Sequence, residues 1–179
     1  VLAVDVSLSM DLEEQRLQRD GYISAFRDAE VHTAITSGPH GRVAVTYMEW
    51  AGPSVQNVVV PWTVIDGPAA AHAVADKLDT QPISRARMTS ISQGLVFAGQ
   101  LFESSGVKGI RRVIDVSGDG PNNAGPLVTL VRDQGTPPCL ATGTPQAATT
   151  MATAVEMFRL CWPSPPVPQT SMAPTGATT

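Results

Sequence analysis

Along the first 134 residues the apolar positions follow two alternating rhythms, short continuous runs and spaced helical patterns. Residues 1–6 (VLAVDV) form a brief, nearly unbroken apolar run, the pattern of a strand buried on both faces. Asp11, Glu13 and Glu14 then open a helical stretch, acidic where the helix dipole favours negative charge. Its apolar side is Leu12, Ile23, Phe26, Val31 and Ile35, and Gly38-Pro39 stops it. Residues 42–50 (RVAVTYMEW) and 55–65 (VQNVVVPWTVI) are rich in β-branched and aromatic side chains, with Ala51-Gly52-Pro53-Ser54 between them. They predict two adjacent antiparallel strands. Pro61 places the second at a sheet edge, because proline offers no N–H to a further neighbour.

A helix from Pro68 to Leu78 follows, with proline at its start, then the loop 81–87 (QPISRAR) and a helix over 90–103. Residues 111–117 (RRVIDVS) read as another buried strand, and a helix over 124–133 comes after Gly-Pro-Asn-Asn. Strands interleaved with helices predict an α/β fold with a mainly parallel sheet and one antiparallel edge strand. Residues 1–134 form the predicted domain. From Gly135 onward the pattern stops: eight prolines and ten threonines accompany only two charged residues, Glu156 and Arg159. Residues 135–179 therefore read as an irregular Pro/Thr/Ala-rich tail, or as the out-of-frame translation of GC-rich DNA. Either way, the further strand–helix units that such a sheet normally continues with are not visible.

Composition narrows the function classes. The chain has 179 residues, enough for one domain with an appendage, and 42% of them are hydrophobic. Net charge is −4 and no basic run occurs, which argues against nucleic-acid binding. No apolar stretch reaches the roughly 18 residues of a membrane span. The opening on Val1, inside a strand pattern, suggests a fragment lacking its true N-terminus and any targeting signal. Cys139 and Cys161, both in the tail, match no disulfide framework or zinc pattern.

Candidate chemistry concentrates where the buried runs end. Asp5, Ser7 and Ser9 stand as Asp-x-Ser-x-Ser at the end of the first strand, Asp119 follows the 111–117 strand, and Thr89 lies just before a helix. Side chains at i, i+2 and i+4 of extended backbone point the same way. In parallel α/β sheets, ligands collect at the carboxyl ends of strands beside the topological switch point. Two carboxylates and three hydroxyls form an all-oxygen set suited to a hard divalent cation. With neutral hydroxyls the ion stays underneutralised, ready to accept a carboxylate from outside.

Plainer roles exist for each residue. Ser9 or Asp11 could cap the following helix, Thr89 could cap its own, and Asp119 could be a turn residue before Gly120-Pro121. Asp115 sits within an apolar strand, where an unpaired carboxylate is costly; it either supports the site or lies nearer water. Glu49 either faces the site or ends its strand in solvent. Arg85 and Arg87 flank Thr89 and could meet an acidic partner or be ordinary loop cations. Trp50 and Trp62 are expected to pack across the strand pair. His32, His40 and His72 show no ligand spacing.

VDVSLSM, the lone Thr89 in MTSIS, and VIDVSGDG resemble the three parts of a metal-ion-dependent adhesion site in a von Willebrand factor type A domain. Through GYISAFRDAEV, GRVAVTYMEWAG and VIDVSGDGPNN, residues 1–134 are most similar to a bacterial branch of such domains with no established function. The resemblance implies a Rossmann-like doubly wound sheet with helices on both faces and a Mg2+ or Mn2+ ion above it. It implies Asp5, Ser7, Ser9, Thr89 and Asp119 as the ligands, with an Asp or Glu of a protein partner completing the coordination. Related bacterial domains are often exported, so it also implies a periplasmic or extracellular setting. The expected function is a metal-dependent adhesion or scaffolding module.

Two other classes stand beside that expectation. A Mg2+-dependent hydrolase or phosphoryl-transfer enzyme would use Asp5 as nucleophile, but such enzymes usually carry an acid/base Asp two residues later, where this chain has Ser7. GxSxG, GxxxxGK[ST] and GxGxxG are all absent. The third class is a truncated chain that binds nothing, because the strands after 134 that would flank the Asp119 strand are not recognisable.

Overall fold

The computed structural model describes residues 1–133 and 140–142. Its strands are β1 (Leu2–Asp5), β2 (Val43–Trp50), β3 (Gln56–Ile65), β4 (Ile114–Ser117) and β5 (Leu140–Thr142). Its helices are α1 (Leu12–Arg27), α2 (Ala29–Thr36), α3 (Pro68–Thr80), α4 (Ile91–Ser104) and α5 (Val128–Asp133). One sheet runs in the order β3-β2-β1-β4-β5. β1 is central and parallel to both β2 and β4, while β3 pairs antiparallel with β2 at one edge. The chain leaves β1 to one side for β2 and β3, then returns to the other side for β4. The carboxyl ends of β1 and β4 are therefore the switch point of the sheet.

Period-2 alternation on β1 divides the core in two. Leu2 and Val4 join Tyr22, Ile23 and Phe26 of α1, with Val74 and Leu78 of α3, on one face. Val1 and Ala3 join Met48, Trp50, Leu95, Ala98 and Ile114 on the other, under α4. Helices cover both faces because both are apolar. Pro61 lies exposed on the edge strand, as its missing N–H requires. The β2–β3 register shifts on either side of Tyr47, and the Thr46 hydroxyl donates to the Val60 carbonyl at 2.8 Å.

Several boundaries differ from the sequence pattern. The helical stretch after Asp11 is two helices, because extended backbone at Asp28 (φ −81°, ψ 130°) ends α1. The Asp28 carboxylate then caps α2, accepting from the Glu30 and Val31 amides at 2.6 and 3.3 Å. β4 begins at Ile114 rather than 111, and α5 begins at Val128 rather than 124. β5 is a three-residue strand parallel to β4, in a stretch that carried no strand pattern. The rest of the predicted tail lies outside the described residues. Trp50 and Trp62 both contribute to the apolar cluster that holds Met48 of β2 and Val58 of β3, with Trp50 opposite Gln56 in the register. Trp62 lies against Phe102 of α4 and donates to the Leu101 carbonyl at 2.9 Å.

Candidate metal centre above the central strands

Beyond Asp5 the chain is pinned on both sides. Val6 donates to the Trp50 carbonyl at 2.9 Å, and the segment leading to Thr89 zips onto it through Ala86 N to Val6 O (3.2 Å) and Leu8 N to Ala86 O (2.9 Å). Ser7 and Ala86 form a parallel bridge. Alternation then turns Ser7 inward, 1% exposed, and Leu8 outward, 48% exposed.

The five predicted residues come together. Asp5 Oδ1 accepts the Ser7 amide at 2.7 Å. The Ser7 and Ser9 hydroxyls lie 2.6 Å apart, Ser9 Oγ donates to Asp119 Oδ1 at 2.9 Å, and Thr89 Oγ1 donates to Ser7 Oγ at 3.2 Å. Of the two capping alternatives for the first helix, Ser9 and Asp11, the cap falls to Asp11. Asp11 caps α1 in a reciprocal box with Glu14, both bonds being 2.8 Å. That frees Ser9 to face Asp119.

Asp5 is fully buried, and its Oδ2 accepts no hydrogen bond among the described residues. Burial pushes its carboxyl up to about 6; hydrogen bonds from Ser7 oppose the rise, and the nearby Asp119 charge adds to it. Gly118 is shaped around this oxygen. A Cβ there would lie 2.8 Å from Asp5 Oδ2 and 3.2 Å from the Trp50 ring. Among the described residues no group of three or more His, Cys, Asp or Glu could hold a metal. The set is instead two carboxylates with three hydroxyls, a donor chemistry that could hold a hard cation and does not suit zinc.

Asn122 and Asn123 are structural partners of this cluster to which the sequence pattern assigned no role. Asn123 Oδ1 accepts the Thr89 amide at 2.8 Å, while the Asn123 and Ala124 amides donate to the Thr89 carbonyl at 2.9 and 3.2 Å. Asn122 Oδ1 accepts from Ser92 N at 3.2 Å. It thus caps the start of α4, where Ser90 makes no side-chain cap. Met88, just before Thr89, holds the left-handed φ of +66°, a strained position for a side chain of this size. The Asn-Asn pair after Gly-Pro was the available signal, since Asn side chains bond readily to backbone.

Glu49 does not end its strand in solvent. It is 1% exposed, ion-paired to the buried Arg19, and accepts the Ser84 amide at 3.2 Å. Asp115 is also buried, and Tyr22 Oη donates to its Oδ2 at 3.2 Å. Burial raises its carboxyl to about 6, against the Tyr22 hydrogen bond. Arg85 and Arg87 are exposed, and Arg85 donates to the Met10 carbonyl at 3.2 Å. His32 bonds the Phe26 carbonyl at 2.7 Å and lies against His72, remote in sequence and contacts from the five.

A mainly parallel sheet with one antiparallel edge strand and helices on both faces is a Rossmann-like α/β fold. The chain belongs to the family described as protein of unknown function (DUF1194), whose profile matches residues 1–138. Among solved structures it is similar to a von Willebrand factor type A protein from Catenulispora acidiphila, at 14% identity and TM-score 0.57. That alignment covers 89% of this chain and 40% of the other. It is similar also to proximal thread matrix protein 1 of the mussel byssus, at 12% identity and TM-score 0.60, over 89% and 46% of the two chains. The chain thus spans less than half the length of these structures, and likeness at such identity speaks for the fold. No curated protein matches the sequence. Among the described residues no helix is long and apolar enough to cross a membrane.

Proposed function

We propose that the chain is a divalent-metal-dependent protein-binding module of the adhesion or scaffolding kind. Asp5, Ser7, Ser9, Thr89 and Asp119 would hold Mg2+ or Mn2+, and an Asp or Glu carboxylate from a protein partner would complete the coordination. The observation that carries the reading is Asp5 Oδ2, a buried carboxylate oxygen without a hydrogen bond among the described residues, on a side chain whose other oxygen is held by Ser7, itself linked to the hydroxyls of Ser9 and Thr89. An unsatisfied buried acceptor is costly, and a cation is the partner that a carboxylate among hydroxyls fits. The ion, when bound, supplies a positive Lewis-acidic point that a carboxylate can ligate.

The chain's own groups explain why binding is favoured over turnover. Ser7 and Ser9 offer hydroxyl oxygens, and Asn123 holds Thr89 in place. Among the described residues, the side chains hydrogen-bonded to the five are hydroxyls, a carboxylate and the amides of Asn123 and Gln15, with neither His nor Lys among them. Mg2+ added to the full chain should raise its melting temperature, and Asp5→Ala should abolish the rise. A melting curve that Mg2+ leaves unchanged would remove the reading.

A further inference from the structure

α1 offers the sheet a polar stripe where an apolar one is the rule. Gln15, Gln18, Arg19 and Tyr22 stand at i, i+3, i+4 and i+7, the spacing that normally carries core hydrophobics. Gln15, Arg19 and Tyr22 are 2%, 4% and 6% exposed.

Together they reach three strand ends. Gln15 Nε2 donates to the Ser7 carbonyl at 3.0 Å, just past β1. Gln18 Nε2 donates to Ser117 Oγ at 3.0 Å, on the last residue of β4, and Tyr22 Oη reaches the same hydroxyl at 3.3 Å. Arg19 pairs with Glu49 near the end of β2 and donates to the Leu78 and Gln81 carbonyls, at 2.8 and 3.3 Å, where α3 ends. Glu49 in turn accepts the Ser84 amide, opening the segment that bridges to Ser7 through Ala86 and ends on Thr89. One helix face therefore ties down all three loops bearing the five oxygen residues.

Stability does not account for this stripe. Well-packed hydrophobic residues in place of a buried ion pair are often neutral or stabilising. Gln15 Oε1, moreover, is buried without a hydrogen bond among the described residues. What polar contacts add over apolar ones is direction: a hydrogen bond fixes a strand end along one line, where apolar packing tolerates sliding.

We propose that Gln15, Gln18 and the Arg19–Glu49 pair are positioning residues for the metal centre, holding three strand ends in the one register that lets the five oxygen ligands converge. The inference rests on the metal-binding reading. Two full-length variants test it, Gln15→Met and the paired replacement Arg19→Met with Glu49→Leu. Titration calorimetry with MnCl2 reads the metal affinity, and circular dichroism reads melting without metal. Outer-shell partners of metal ligands typically contribute about 10–100-fold in affinity. Mn2+ should therefore bind each variant at least tenfold more weakly while metal-free melting is unchanged or higher. Variants that bind Mn2+ as tightly as the unaltered chain overturn the inference, as does affinity lost only in step with cooperative melting. An unaltered chain that binds no Mn2+ removes the metal reading and the inference together. Should the paired replacement fail to fold, Gln15→Met decides alone.

Discussion

Asp5 and Asp115 are two buried carboxylates on neighbouring central strands, and burial lifts both to about 6. Their surroundings differ. Asp115 lies against α1 with Tyr22 donating to its Oδ2. Asp5 lies at the strand end against Ser7, close to a second carboxylate, with one oxygen left without a hydrogen bond among the described residues. A raised carboxyl therefore does not by itself mark a functional site. The unpaired oxygen and the company of further side-chain oxygens separate the candidate site from the structural acid.

The largest expected contrast comes from removing each charge in turn. Asp5→Asn should eliminate any Mg2+-dependent rise in melting temperature, whereas Asp115→Asn should leave that rise intact. Thermal melts with and without Mg2+ check both, and a Mg2+ response lost in Asp115→Asn breaks the contrast.

The second concerns pH. Asp115 has a folded value above its unfolded value of 3.8, so its contribution to stability is full below about pH 4 and is lost as pH rises through about 6. An upward shift of this size corresponds to on the order of 3 kcal/mol. Metal-free Asp115→Asn, whose amide oxygen can still accept from Tyr22, should lack that loss and exceed the unaltered chain above pH 6. Urea denaturation at pH 4 and pH 7 reads it, and equal stabilities at pH 7 would contradict it.

Smaller effects sharpen the boundary of the site. Gly118→Ala should cost about 1–3 kcal/mol, because its methyl group would press on Asp5 and Trp50. It should also weaken the Mg2+ response, since that oxygen is displaced. Asp11→Ala should cost about 1 kcal/mol through the lost helix cap and leave the Mg2+ response unchanged. Denaturation with and without Mg2+ distinguishes the two, and a response lost in Asp11→Ala would mean that the cap belongs to the site.

The fold and the five converging residues were legible for definite physical reasons. Buried parallel strands leave continuous apolar runs, as in residues 1–6. Strand ends in such sheets point polar side chains at one crevice, which brings Asp5 and Asp119 together once β1 pairs with β4. The antiparallel edge was legible from Pro61. Less visible were features that tertiary contacts decide. Asp28 reads as one more helical residue until its carboxylate turns to cap α2. Glu49 reads as a solvated strand end, because its partner Arg19 is 30 residues away on another element. The polar stripe of α1 has the spacing of a core face but the wrong residue types, so an apolar count passes over it. Asn122 caps a helix that begins 31 residues before it, a relation no local pattern carries.

On the metal-binding reading, a divalent cation binds at Asp5 and not beside Asp115. Anomalous diffraction from crystals of the full chain grown with MnCl2 tests it most directly. The account predicts one Mn2+ peak among the side-chain oxygens of Asp5, Ser7, Ser9, Thr89 and Asp119. No peak there, or a peak beside Asp115 instead, would contradict it.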